Sequence, residues 1–170
     1  MKIIGFSKIN GEVKMVLKGD SSLLVNRKPF FIPEWSEKVC MTPCIVLRVC
    51  KLGKSIGPRF AYRYYDAVAH GINMQASDFL GQNDWTRAWD FDYSMVVGTF
   101  TDTSIDLWQR IDNQLVISRD KAIQYASEVM TIRQGDMIYI DRDVSPRILQ
   151  REEIIAEYID NQEVLYCKIK

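Results

Sequence analysis

Histidine is nearly absent, with His70 alone, and neither charge is in excess: 22 Lys and Arg face 22 Asp and Glu. A formal charge of zero and a pI near 6.6 leave no whole-molecule field for gripping nucleic acid or an anionic lipid surface. Neither partner is expected. Long apolar runs are also missing, because Lys, Arg, Asp or Glu breaks every stretch before the ~18 residues a membrane-spanning helix needs. The first residues, MKIIGFSKINGEVK, hold no signal-peptide core, so a cytoplasmic location is expected. Nine Gly and five Pro are too few for a collagen-like or low-complexity chain, and 47% hydrophobic residues are too many for a disordered one. What is there fits one core: a single domain over residues 1–170.

Cysteines are few and badly spaced for metal. Cys40, Cys44 and Cys50 give C-x3-C and C-x5-C with no C-x2-C knuckle, and Cys167 is remote, so structural zinc is not expected. Without an export signal they read as reduced, buried thiols. If residues 41–51 are a strand, Thr42, Cys44, Arg48 and Cys50 share one face while Ile45, Leu47 and Val49 take the other.

Turn chemistry dominates the chain. Asn10-Gly11 lies between two strand-like runs and predicts a tight hairpin. The tetrapeptide IDNQ occurs twice, predicting strand-turn-strand units at Asp112-Asn113 and Asp160-Asn161. A further turn is expected at residues 26–29, between LLV and FFI. Two short helices are predicted. One starts at Pro58, and the other is capped by Asp120 and carries Ile123, Ala126, Val129 and Met130 at three- and four-residue spacing. Residues 67–74, AVAHGINM, read as a strand on which His70 and Asn73 face opposite sides. The segment NDWTRAWDFDY (83–93) fits neither period and reads as an ordered loop of the kind that lines sites. The sum is an α+β domain on antiparallel and mixed sheets.

Four segments in order carry a resemblance: FIPEWSEKVCMTPCIVLRV, QASDFL, DWTRAWDFDYSMVVG and EVMTIRQGDMIYI. They resemble, respectively, the extended V-x-Y-E-x-E-L segment, the S-A-R-D segment, the W-x-R-A-K-G-F-D stretch and the helix before L-x-P-G-D-V-I of the fumarylacetoacetate hydrolase family. The likeness runs from about Leu23 to the C-terminus. It implies a sheet-rich mixed β-roll or sandwich, a homodimer, and hydrolase, isomerase or decarboxylase chemistry on keto or enol dicarboxylic acids supported by magnesium, manganese or calcium.

The departures bear on that chemistry. Setting the segments together puts Thr42, Cys44 and Asn73 where the family has two glutamates and an aspartate as metal ligands. A hydroxyl, a thiol and an amide carry no fixed negative charge to offset dehydration of a hard cation, so no metal cofactor is expected. Cys44 with Asn73 and His70 is the remaining soft-metal set, and the strand parity argues against it. Trp89 and Asp90 replace the family's lysine and glycine, Ile140 to Asp143 replace its T-G-T-P stretch, and its catalytic histidine and glutamate have no counterpart. Asp78, Trp85, Arg87, Trp89, Asp92 and Arg142 remain as candidate pocket residues, with Asp78, Arg87 and Asp92 also able to hold the loop in shape. The expectation is a catalytically degenerate relative that binds a small carboxylate or serves assembly. The alternatives are an active enzyme with an altered site and a structural partner subunit.

Charge is unevenly placed. Residues 27–63 hold eight Lys or Arg against two acids, and residues 78–112 hold seven Asp against two Arg. Packing of the basic strands on the acidic segment, within the chain or across a dimer, is the plainer expectation. A basic cleft for a carboxylate, with Arg48, Lys51, Arg59 or Arg63 as clamps, is the sharper one.

Overall fold

The computed structural model describes all 170 residues. Asn10 and Gly11 both take positive φ, 52° and 81°, the geometry a two-residue primed turn demands. They join β1 (Ile3–Ile9) to β2 (Glu12–Lys18) in unbroken antiparallel register. There follow β3 (Leu23–Val25), β4 (Val39–Val49), a 3₁₀ turn at Pro58–Arg63, and β5 (Tyr65–Ala76). Next come α1 (Ser77–Leu80), α2 (Trp85–Trp89), β6 (Met95–Val97), α3 (Asp106–Asp112) and α4 (Arg119–Val129). The chain ends with β7 (Met137–Asp141), β8 (Arg147–Ile148), β9 (Ile154–Ile159) and β10 (Gln162–Lys168). Asp160 and Asn161, at φ 48° and 64°, make the β9–β10 hairpin turn as expected.

The main sheet runs β2-β1-β7-β4-β5-β6-β3, with β8 on β4. It is mixed, since β1 pairs β7 and β3 pairs β6 in parallel while the other pairs are antiparallel. Strands β2 and β3 sit at opposite ends of this order, yet only residues 19–22 connect them. Laid flat, six strand spacings would part them by roughly 29 Å, whereas five Cα steps reach roughly 18 Å. The sheet therefore curls into a roll. Lys18, on the edge strand β2, reaches the backbone of Met74 on β5, so the face it shares with Ile3 and Gly5 is the inner one. Small residues make that curvature possible: Gly5, Cys44, Ala69 and Gly71 lie inside with Val46, Met95 and Tyr139. The outer face carries a larger core under α3 and α4 with Ile45, Leu47, Ile138, Ile140 and Trp108, while a second, with Met41, Ile72, Met74, Trp89 and Phe91, reaches round the end of the roll to Val16 and Lys18.

Several local expectations are corrected. Asp112 ends helix α3 and Asn113 caps it, so no hairpin forms there. Residues 105, 108 and 111 satisfy a helical spacing as well as 107, 109 and 111 satisfy a strand, and burial of Trp108 and Ile111 on one side decides. The segment 83–93 is not all loop, because Asp84 caps α2 by accepting the Arg87 N–H. Helical segments thus exceed the two expected. Helix α4 is capped by Ser118, two residues before Asp120. Arg27 turns the chain at φ 68°, but Phe30 then pairs with Ile169 rather than back onto β3. The basic segment meets the acidic one through Asp78, which accepts from Ser36 and Glu37, and through Arg48 over the Phe100 ring, but within the chain no ion pair joins them: Arg27 pairs with Glu163, Arg48 with Asp66, and Arg87 and Arg119 with Asp84 and Asp112. Lys51, Arg59 and Arg63 stack on Tyr64, Phe60 and Tyr62 instead of forming a clamp.

Candidate functional site

Register brings Thr42, Cys44 and Asn73 together. Thr42 on β4 lies opposite Asn73 on β5, Cys44 opposite Gly71 on β5 and Asp141 on β7, and Val46 opposite Tyr139. All these side chains enter the inside of the roll, where Thr42, Cys44, Asn73 and Asp141 are 1–4% exposed. The Asn73 amide donates to both carboxylate oxygens of Asp141, at 3.1 and 3.0 Å, and to Ser7 Oγ at 3.2 Å. Burial pushes the Asp141 carboxyl up to about 7, against the hydrogen bonds from Ser7 and Asn73 and the charge of Lys18. Burial also drives Cys44 well above the ordinary thiol range, so its sulfur is a neutral thiol. Tyr139, wholly buried, packs its ring against Gly5 on the same inner face.

This donor set does not fit a divalent cation. Its one carboxylate is already held by an amide, its thiol is protonated, and the amide turns N–H groups toward Asp141. Nowhere do three His, Cys, Asp or Glu side chains converge. His70 cannot help, because it stands on the other face of β5, 4.9 Å from the Trp108 ring. There Arg142 Nη2 lies 3.5 Å from His70 Nδ1. Burial and the Arg142 charge push His70 down to about 4, so it is a neutral imidazole. His70 Nε2 and Arg142 Nε are both buried without a partner, and Arg142 takes part in no ion pair.

The loop residues do not assemble with this centre. Asp78 accepts from Ser36 Oγ (2.8 Å) and the Glu37 N–H (3.0 Å), pinning the 36–38 segment to α1. Arg87 pairs with Asp84 at the surface, and Asp92 is exposed. Trp85 is half-exposed and shares a shallow groove with Trp89, Met15, Val16 and Leu17. These are shape-holding and surface roles. The residues that sequence reasoning passed over are Ser7, Lys18, Ser94 and Tyr139. Lys18 is 0% exposed, and burial pushes its amine down to about 7 while Asp141 and Asp90 push it back up. The one sequence signal for it was parity, since Lys18 shares the face of Val16.

The shifts of His70 and Asp141 act oppositely on stability. His70 has a folded pKa below its ordinary 6.5, so only the unfolded chain takes that proton and stability falls as pH drops from about 6.5 to about 4. Asp141 has a folded pKa above its ordinary 3.8, so stability falls as pH rises from about 4 through about 7. The two nearly cancel in the native chain. Asp141→Asn is therefore expected to unmask the histidine arm, worth on the order of 3 kcal/mol between pH 4 and 6.5. Urea denaturation across that range checks it; an unaltered pH profile would contradict the burial assigned to both groups.

No protein-family model and no curated protein matches this sequence. Solved structures do match its shape. The 5-carboxymethyl-2-hydroxymuconate delta-isomerase from Mycobacterium smegmatis superposes with a TM-score of 0.84 at 14% identity, over 99% of this chain and 78% of that one. A fumarylpyruvate hydrolase from Pseudomonas aeruginosa, in complex with Mn2+ and pyruvate, gives 0.79 at 14%, over 99% and 88%. A Yersinia pestis protein assigned to the fumarylacetoacetate hydrolase family gives 0.82 at 14%, over 99% and 92%. The chain has the fold of the fumarylacetoacetate hydrolase family along its whole length.

Proposed function

We propose that this chain keeps the fumarylacetoacetate hydrolase fold without its metal chemistry, and acts as a binding or assembly protein for a small carboxylate rather than as a hydrolase. One observation carries the reading: Asn73, at a ligand position, spends its amide on Asp141, in a centre where Thr42 and Cys44 are neutral and buried. Metal-assisted turnover of keto acids needs a Lewis acid to stabilise the developing oxyanion and a base to activate water. His70, the only imidazole, lies on the far face of the sheet and is held neutral beside Arg142. The carboxylate subsite best supported is Arg142 with His70, since Arg142 lacks an anionic partner and both side chains hold buried nitrogens that nothing satisfies. A homodimer in the cytoplasm is the proposed setting, carried over from the family resemblance.

Titration calorimetry with Mn2+ and Mg2+, and an acylpyruvate cleavage assay with each metal present, test this reading. Expected are no saturable metal binding and no cleavage above background, with pyruvate or oxalate raising the melting temperature in the native chain and not in Arg142→Gln. Stoichiometric tight Mn2+ binding, or metal-stimulated cleavage, would favour the alternative of an active hydrolase or isomerase with a rebuilt site. Cleavage without metal that Cys44→Ala abolishes would point to thiol chemistry. Neither binding nor turnover would leave the structural partner subunit.

A further inference from the structure

Inside the roll Lys18 Nζ has four oxygen neighbours: Trp89 O at 2.6 Å, Ser94 Oγ at 2.9 Å, Met74 O at 3.0 Å and Ser94 O at 3.2 Å. Ser94 Oγ donates to Trp89 O, so the hydroxyl turns a lone pair toward the nitrogen. Every neighbour is thus an acceptor: the two N–H bonds of a neutral amine could serve at most two of the four, whereas the three of an ammonium ion serve the three nearest. Three are backbone carbonyls of residues 74, 89 and 94, placed by β5, by the end of α2 and by the entry to β6, so the arrangement does not depend on which side chain stands at position 18. The faces of Trp89 and Phe91 lie 5.9 Å from the nitrogen and add to the field favouring a cation. Asp90 fixes the approach, accepting from the Gly19 N–H and from Ser22 Oγ, both at 2.7 Å, directly after Lys18 leaves the strand.

We propose that these oxygens form a monovalent-cation site which the chain fills with its own tethered ammonium, and that a free ammonium or methylammonium ion takes the site when the tether is cut back. Lys18 belongs to the edge strand β2, whereas its oxygens belong to β5 and to the segment entering β6, several strands away in the sheet order. The charge therefore closes the roll. Closure by a tethered cation needs no dissolved metal, and it holds whether or not Thr42, Cys44 and Asn73 bind one, so it stands apart from the functional reading above.

The test is thermal unfolding of Lys18→Ala in ammonium, methylammonium and choline chloride at equal ionic strength. In choline, whose cation is too large for the site, the variant is expected to melt about 10 °C below the native chain, as for the loss of a buried, hydrogen-bonded charge. Methylammonium and ammonium should restore about half of that loss, in a concentration-dependent way, and Ser94→Ala added to the variant should weaken the rescue. The native chain should not distinguish the three salts. Equal melting of Lys18→Ala in all three salts overturns the proposal, as does Lys18→Met melting at the native temperature. Should Lys18→Ala not fold in any salt, the Lys18 ¹⁵Nζ resonance of the native protein decides: an ammonium with slowly exchanging protons at pH 6 is expected, and a neutral amine there would overturn it.

Discussion

Asn73→Asp is expected to lower the melting temperature by about 10 °C at pH 8, corresponding to roughly 3–5 kcal/mol for an uncompensated buried charge. The substitution is nearly isosteric, so packing hardly changes. What changes is the hydrogen-bond inventory: the amide that donates to both oxygens of Asp141 and to Ser7 becomes a second carboxylate at hydrogen-bond distance from the first. Two buried carboxylates in one site cannot both ionise, and one holds its proton far above the ordinary range. The loss should accordingly shrink as pH falls toward 5, where one shared proton bridges the pair. Melting curves at pH 5 and pH 8 distinguish this from simple loss of packing, which would cost the same at both. Adding Thr42→Glu and Cys44→Glu should make folding respond to Mn2+, because the inside of the roll would then offer anionic oxygens to a hard cation. Regained metal binding without keto-acid turnover is the expected result, since no base accompanies the restored ligands. A triple variant that folds at the native temperature and ignores Mn2+ would show that these positions do not converge on one point.

Gly5→Ala is expected to prevent folding at 37 °C. A Cβ at position 5 would stand 1.8 Å from Cζ of Tyr139 and 2.1 Å from Cε1, far inside any van der Waals contact. The ring cannot swing aside, because Tyr139 is wholly buried between β1 and β4 on the inner face. Overpacking of this kind ordinarily costs about 1–3 kcal/mol when neighbours can shift, and here the clash is with a ring on the adjacent strand of a curled sheet. Tyr139→Leu in the same chain should restore folding in part, since it removes the colliding atoms, and the yield of soluble protein with far-ultraviolet circular dichroism reads both results. A Gly5→Ala protein as stable as the native one would mean that the roll has slack that its buried side chains do not show.

The two hairpins were legible in the sequence because their turn residues have a local reason to be there. Asn10-Gly11 and Asp160-Asn161 accept positive φ at little cost, and the runs on either side can only pair. The opposite parity of His70 and Asn73 is equally local: the imidazole lies beside Trp108 on one face of β5 and the Asn73 amide beside Asp141 on the other. The order of four segments indicated the fold of the fumarylacetoacetate hydrolase family, and the superpositions bear it out over the whole chain. The register sets Thr42 opposite Asn73, and Cys44 opposite Asp141, and so places these four side chains on one face.

What the sequence did not settle depends on which side of an element the tertiary structure covers. The IDLWQRID segment satisfies helix and strand periods alike, and only the core beneath Trp108 and Ile111 selects the helix. Strand β2 misleads more strongly. Its apolar alternation, Val13, Met15 and Leu17, names the wrong face as buried: Val13 and Leu17 are exposed while Lys18 is sealed inside. Binary patterning assumes that burial favours apolar atoms, and an ammonium ringed by backbone carbonyls is the exception, because those acceptors replace its water. Within β2 only the parity that Lys18 shares with Val16 hints at it, since the oxygens belong to residues 74, 89 and 94, far along the chain. Local chemistry thus determined the turns, the strand parity and the uncharged side chains at Thr42, Cys44 and Asn73. Curling of the sheet decided what surrounds them, because a roll brings its two edges together and so creates neighbours that sequence distance conceals.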